Sequence, residues 1–183
     1  MSSGSIARRY AKAIIAVAQE HDVLEQAGDE LRVLRALAAD PEIAQALANP
    51  MLTAEARRRL ALAIAERLTL RPIMHNFLAV LADNRRLDQL VGIADQYQRI
   101  LDGMLGRVRA TVTSATPLTP EQIDAVSSAV ARQTRRTVLS EQQTDPKLLG
   151  GVVVDVEGKV YDGSLRTQLE ALATSIAGGR SLL

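Results

Sequence analysis

The sequence predicts a mainly α-helical protein: a six-helix N-terminal bundle (residues 1–105), then a small α/β domain (residues 106–183) with a short mixed sheet. Three observations predict this fold class. The first part is rich in Ala, Leu, Glu and Arg, which favour helices, and its apolar residues recur with helical spacing. The links between its helical segments are short, which is typical of antiparallel neighbours in a bundle. After residue 106, Val and Thr become common and strand patterns begin.

The N-terminal part reads as six helices in succession. The first covers 5–20, the fifth 71–83 and the sixth 86–104. Asp22 and Thr53 are expected to cap the second and fourth helices. Asp40 followed by Pro41 starts the third, because proline suits the first helical position. Residues 83–86 are predicted to form a tight turn.

The C-terminal part begins with alternation, since Val108, Ala110 and Val112 share one side of a half-buried strand. Residues 119–122, TPEQ, match a capping box that starts a helix ending near Gln133. Further strands are predicted near 136–143 and over 148–156. Glu157-Gly158 then forms a hairpin turn into a short strand at 159–161, and a last helix covers 164–177.

Composition excludes several classes of function. The chain has no cysteine and two histidines, His21 and His75, without ligand spacing, so we expect no metal site and no cofactor. Three tyrosines and one phenylalanine are too few for a base-stacking nucleic-acid surface. A net charge of +1 provides no strong field for nucleic acid or anionic lipid.

Three motifs resemble catalytic or binding signatures only superficially. Gly151 to Lys159 has the wrong spacing for a phosphate-binding loop and lies in a strand-turn-strand context. Ser164 lacks the flanking glycines of a nucleophile elbow, so a helix-capping role for Asp162 or Ser164 is favoured. The basic run Arg57–Arg59 fans around a helix, which favours a solvated face over an RNA site.

The apolar stripe of the first helix is unusually wide. Tyr10, Ala13 and Val17 lie beside the residues expected in the core, and on the fifth helix Asn76 and Val80 are neighbours on one face. Such a stripe can mean deep burial or a groove that accepts another helix. The pattern alone favours burial.

Separated segments of the chain resemble the delta-subunit family of F-type ATP synthases, which includes the mitochondrial oligomycin-sensitivity-conferring protein. They are ARRYAKA at 7–13, DNRRL at 83–87, DPKLLGG at 145–151 and KVYDGSLRTQL at 159–169. The glycine pair and the following DGS, at this spacing, are the most specific part. The sequence departs from the family at Ile14-Ile15 and at Arg85, where glycine is common.

The resemblance implies a non-catalytic subunit of the peripheral stalk, which resists rotor torque. Residues 1–105 would bind the catalytic headpiece by holding the N-terminal segment of an alpha subunit between helices one and five, which reverses the preference for burial. The implied groove residues are Tyr10, Ala13, Val17, Asn76 and Val80. Residues 106–183 would contact the C-terminal ends of the b subunits, in a region that includes Gly150, Gly151, Asp162, Ser164, Arg166 and Leu169.

The resemblance also implies a location. The protein would lie at the cytoplasmic face of a bacterial plasma membrane, attached only through the complex and without nucleic acid. An N-terminus without the pattern of a targeting segment favours a bacterial protein. The alternative function is a generic helix-binding adaptor outside the ATP synthase.

Overall fold

The computed structural model describes residues 3–170. They form a mainly helical structure with a small mixed sheet, which confirms the fold class at that level. None of the helices in this range is long and apolar enough to cross a membrane. The first helices are α1 (Ser3–Glu20), α2 (Leu24–Ala38), α3 (Pro41–Ala48), α4 (Ala54–Arg67), α5 (Pro72–Asp83), a 3₁₀ helix (Leu87–Gln89) and α6 (Leu90–Met104).

The chain divides into two compact units between Leu101 and Asp102, within α6. The domain boundary expected from composition lay at residues 105–106. The last turn of α6 belongs to the second unit, where Arg109 Nε donates to the Asp102 carboxylate at 2.6 Å. This ion pair, in which the side chain of Asp102 is 9% exposed and that of Arg109 is 45% exposed, ties the end of α6 to the segment that follows it.

The first unit encloses one apolar core to which α1–α6 all contribute. Tyr97 of α6 is fully buried there, and its hydroxyl donates to the Leu24 carbonyl oxygen at 2.8 Å. Burial raises the pKa of Tyr97 to about 12. Gly28 of α2 lets the two helices approach, since a Cβ there would lie 3.1 Å from Leu101 Cδ2.

Three helices of this unit end on a non-glycine residue with left-handed backbone. These residues are Asp22, Thr69 and Arg85, with φ between 52° and 56°. In each case the next amide donates to a carbonyl five residues earlier, as in a Schellman motif: Val23 to Ala18, Leu70 to Ala65 and Arg86 to Leu81. The predicted cap at Asp22 is therefore wrong, because this residue closes α1 and makes no side-chain bond to α2.

Other helix ends follow the sequence signals. Asp40 Oδ1 accepts from the amides of Glu42 and Ile43, and Thr53 Oγ1 accepts from Ala56 N, which confirms both predicted caps. The predicted helix 86–104 is instead a 3₁₀ turn followed by α6. The Gln89 amide donates to the Arg86 carbonyl three residues back, which gives the tighter winding.

The second unit is a four-stranded sheet covered on one face by a helix. Its elements are β1 (Arg107–Ser114), α7 (Pro120–Thr134), β2 (Thr137–Thr144), β3 (Gly151–Val156) and β4 (Lys159–Ser164). The strand order is β2-β1-β3-β4, with β1 parallel to β2 and the other pairs antiparallel. The predicted alternation is confirmed: Val108, Ala110 and Val112 are buried with Val130 of the helix.

In this unit too, the sequence signals predict elements that the structure contains, although some strands begin or end at other residues than expected. The capping box at Thr119 and Gln122 and the β3–β4 hairpin are confirmed. β3 begins at Gly151 rather than at 148, and β4 continues to Ser164. Residues 165–170 are helical, and the rest of the predicted helix 164–177 lies outside the described residues.

Candidate functional site

A cavity of about 620 Å³ opens along α1 and α5 in the first unit. We call this cavity the groove. All five residues expected at a helix-binding surface line it. Its complete lining is Tyr10, Ala13, Ile14, Val17, His21, Val23, Arg71, Pro72, Ile73, Asn76, Phe77 and Val80.

The α1 wall of the groove follows from helical spacing. Tyr10, Ala13 and Val17 follow one another at intervals of three and four residues, so they share a face. The core of the unit takes a neighbouring strip of the same helix, which includes Ala11 and Ala18. Because the apolar stripe is wider than the core requires, Ala13 and Val17 remain exposed.

The α5 wall is formed by a helix that is apolar on most sides. Leu78, Leu81 and other residues of α5 are buried in the core. Asn76 and Val80 stay exposed along the groove, and the exposed fraction of Val80 is 48%. Phe77, which is largely buried, also lines the groove and joins it to the core.

One end of the groove is polar. His21 follows α1 and Arg71 immediately precedes α5, and both line the cavity. Glu30 of α2 holds Arg71 through one oxygen: Oε1 accepts from Arg71 Nη1 at 2.9 Å and from its backbone amide at 3.2 Å. Most of the rest of the lining is apolar.

The residues expected at the second contact region lie at one end of the sheet. A Cβ on Gly151 would be 2.4 Å from the Gly163 carbonyl oxygen, so only glycine fits. A Cβ on Gly150 would lie 2.7 Å from Leu165 Cδ1, which is the end of a flexible side chain and can move aside. Three leucines next to Gly150 in sequence or within the helical residues 165–170 have exposed side chains, namely Leu149, Leu165 and Leu169, and Arg166 is also exposed.

Asp162 and Ser164 organise the chain where β4 passes into helix. The Asp162 carboxylate accepts from Ser164 N and from the Thr167 hydroxyl, both at 2.8 Å. These bonds, the backbone bond first, lower the pKa of Asp162. Ser164 Oγ accepts from Thr167 N at 3.3 Å, which is a capping bond. Both side chains are thus engaged in local structure.

The basic run 57–59 does not form a single surface. Arg57 is only 4% exposed and donates to the Leu52 carbonyl oxygen at 2.8 Å, so the expectation of a solvated face is wrong for this residue. Arg58 pairs with Asp83, and Arg59 with Glu55. Helical periodicity shows that the three arginines diverge, but not that one of them turns into the protein.

Sequence reasoning missed several residues of the groove. Neither His21 nor Arg71 was assigned to this surface from the sequence. No periodic signal links either residue to the groove, because each lies just outside a helix. Within residues 3–170, no three potential ligands among His, Cys, Asp and Glu form a group that could hold a metal ion.

Comparisons with known proteins match almost the entire chain. The family model described as "ATP synthase delta (OSCP) subunit" matches residues 6–176. The "ATP synthase subunit delta" of Anaeromyxobacter sp. (strain K) is 42% identical over 177 residues, covering 96% of this chain and 99% of that protein. Its counterpart in Geobacter metallireducens is 36% identical over 180 residues, covering 98% and 100%.

A solved structure has the same fold. One chain of the cryo-EM composite model of the Toxoplasma gondii mitochondrial ATP synthase hexamer superposes with a TM-score of 0.68. The match covers 93% of this chain and 97% of that chain at 20% sequence identity. At this identity the likeness concerns the fold.

Proposed function

This chain belongs to the ATP synthase delta (OSCP) subunit family and is a peripheral-stalk subunit of an ATP synthase, and we propose that its groove binds the N-terminal segment of an alpha subunit. The observation that carries this proposal is the meeting of α1 and α5 around one apolar cavity. Tyr10, Ala13 and Val17 line one wall, while Asn76 and Val80 line the other. An apolar groove between two helices can accept the apolar face of a third helix.

The physical demand on such a subunit is slow release under load. The rotor applies torque to the catalytic headpiece, and the stalk must resist it without dissociating. An amphipathic helix in the groove gains about 25 cal/mol for each Å² of apolar surface buried. Nanomolar affinity corresponds to about −12 kcal/mol and gives slow dissociation. This function requires no chemistry from the chain, so we propose that it has no catalytic residues of its own.

The second unit would contact the C-terminal ends of the b subunits. The exposed leucines around Gly150 and Gly151 support this proposal, since they offer apolar surface outside the small core of the unit. Docking there would connect the headpiece to the membrane-anchored part of the complex. The residues proposed for this contact region are Gly150, Gly151, Asp162, Ser164, Arg166 and Leu169.

The location follows from the complex rather than from the chain itself. We propose a peripheral position at the cytoplasmic face of a bacterial plasma membrane, held by the partner subunits. The relatives at 42% and 36% identity are bacterial, which supports this position.

Calorimetric titration of the full chain tests the groove directly. The titrant is a synthetic peptide that contains the N-terminal segment of the alpha subunit from the same organism. We expect tight one-to-one binding with a negative heat-capacity change, the marker of apolar burial. Absence of binding by a folded chain would contradict the proposed groove. The adaptor alternative would gain support if a different amphipathic helix bound tightly instead.

A further inference from the structure

The polar end of the groove carries an inference that rests on the proposed function and extends it. Arg71 and His21 are the two residues of the lining with side chains that can carry positive charge. The walls beyond them are mostly aliphatic or aromatic. A helix that fills the groove therefore meets a positively charged side chain at one end only, and it must offer hydrogen-bond acceptors there.

Arg71 is held in place before any partner binds. Its guanidinium and its backbone amide both donate to Glu30 Oε1, so α2 fixes the residue that precedes α5. The side chain of Glu30 is 14% exposed, whereas that of Arg71 is 43% exposed. Glu30 is thus the more buried partner, and Arg71 keeps an exposed side chain while it lines the cavity.

Binding changes the environment of this cation. A guanidinium has five N–H donors, and in the structure Nη1 is the one that donates to Glu30. A helix in the groove displaces water from the remaining donors. Leaving them without acceptors is costly, whereas a carboxylate restores their hydrogen bonds in the favourable fork geometry.

We infer that Arg71 determines specificity in the groove by pairing with an acidic side chain of the bound alpha segment. Glu30 is its positioning residue, because it holds the guanidinium at the cavity. The aliphatic walls provide most of the affinity and accept many amphipathic helices. The pair at Arg71 then fixes the register of the helix, since only one register brings its carboxylate to this end.

Calorimetry on the full chain tests this inference with Arg71→Gln. At about 0.05 M NaCl we expect the variant to bind the alpha peptide about tenfold more weakly than the parent. At about 0.5 M NaCl the difference should shrink to less than about threefold, because salt screens a partly exposed pair. Arg67→Gln is the matched control, an exposed arginine outside the groove, and should bind like the parent at both salt concentrations.

A second series locates the partner carboxylate. Each Asp or Glu of the peptide is replaced in turn by Asn or Gln. We expect one such peptide to lose about tenfold in affinity for the parent but almost nothing for Arg71→Gln, as in a double-mutant cycle. Arg71→Lys should keep part of the salt-dependent affinity, since it retains the charge but not the fork.

The outcomes separate this inference from the proposed function. If the parent binds and Arg71→Gln binds equally well at low salt, the inference is overturned and the groove stands. A loss that persists at high salt without coupling to any peptide carboxylate also overturns it. If the parent does not bind the peptide, the proposed groove and this inference both fail. The Arg71 side chain makes no capping bond to α5, so circular dichroism should show the parent's helix content.

Discussion

Val80 is the single residue on which the groove is most easily tested. It lies on α5, 48% exposed, and lines the cavity. We expect Val80→Asp to weaken binding of the alpha peptide by about 100-fold, because a bound helix would bury the new carboxylate in an apolar setting. Calorimetry on the full chain measures this effect.

Val33→Asp is the matched control for that substitution. Val33 is 49% exposed on α2 and does not line the groove. Both variants should unfold at nearly the parent's temperature, since neither side chain belongs to the core. Equal peptide binding by the Val80 variant and the parent would show that Val80 lies outside the interface.

Tyr97 should make the stability of the first unit depend on pH in alkaline solution. Its pKa rises from 10.0 to about 12 on folding because of burial. The stability linked to this raised pKa is present below pH 10 and is lost as the pH rises towards 12. At about pH 8, Tyr97→Phe should cost about 1 kcal/mol, the value of the bond to the Leu24 carbonyl.

Denaturant unfolding of both proteins across this range checks the prediction. The difference in free energy of unfolding between the parent and Tyr97→Phe should decline between about pH 10 and 12, because tyrosine ionises in this range and phenylalanine cannot. Both proteins contain the same lysines and the same other tyrosines, so the effects of these residues cancel in the difference between the two free energies of unfolding. A constant difference across the range would mean that Tyr97 does not titrate with a raised pKa.

Among the elements, the β3–β4 hairpin depends on glycine at one position for two separate reasons. Gly151 has φ of 81°, and a Cβ there would lie 2.4 Å from the Gly163 carbonyl oxygen. We expect Gly151→Ala to destabilise the second unit by more than about 3 kcal/mol, since backbone strain and a clash with β4 add. Thermal unfolding followed by circular dichroism measures the loss.

Gly158→Ala separates the two causes. Gly158 has φ of 89°, but nothing lies within 4 Å of its Cβ position. Backbone strain alone should cost about 1 kcal/mol there. Similar losses for the two variants would argue against the close contact between β3 and β4.

Helix ends show where prediction from sequence succeeded and where it failed. Asp40, Thr53 and Thr119 cap the helices that follow them, as expected, because these caps need only residues close in sequence. Asp22 has the same capping chemistry but closes α1 instead. Whether Asp22 caps α2 or ends α1 depends on the path of the chain between the two helices. The presence of a residue type that can cap a helix does not determine that path.

For the whole molecule, we expect the purified full chain to hydrolyse no ATP. The β3–β4 hairpin occupies the segment that most resembles a phosphate-binding loop. In residues 3–170, no group of three potential metal ligands accompanies it. Phosphate release should equal that of a mock preparation from cells without the chain. Turnover that is found only with the chain and follows it through purification would contradict the non-catalytic role.

The sequence by itself determined the class of fold, most helix starts, the alternation of β1 and the β3–β4 turn, because these depend on periodicity and on neighbouring residues. It also marked Tyr10, Ala13 and Val17 as one face of a helix, and Asn76 and Val80 as one face of another. Through a family resemblance, it led to the proposed partner of these faces.

Only the tertiary structure decided which faces remain uncovered. Periodicity tells which residues share a side of a helix, but burial depends on what packs against that side. Thus Val17 and Val80 stay exposed on one cavity, whereas Arg57 turns into the protein. Glu30 and Arg71 meet across 41 positions of sequence, and their ion pair makes one end of the groove polar. Such long-range contacts arise from the packing of whole helices, which local patterns do not specify.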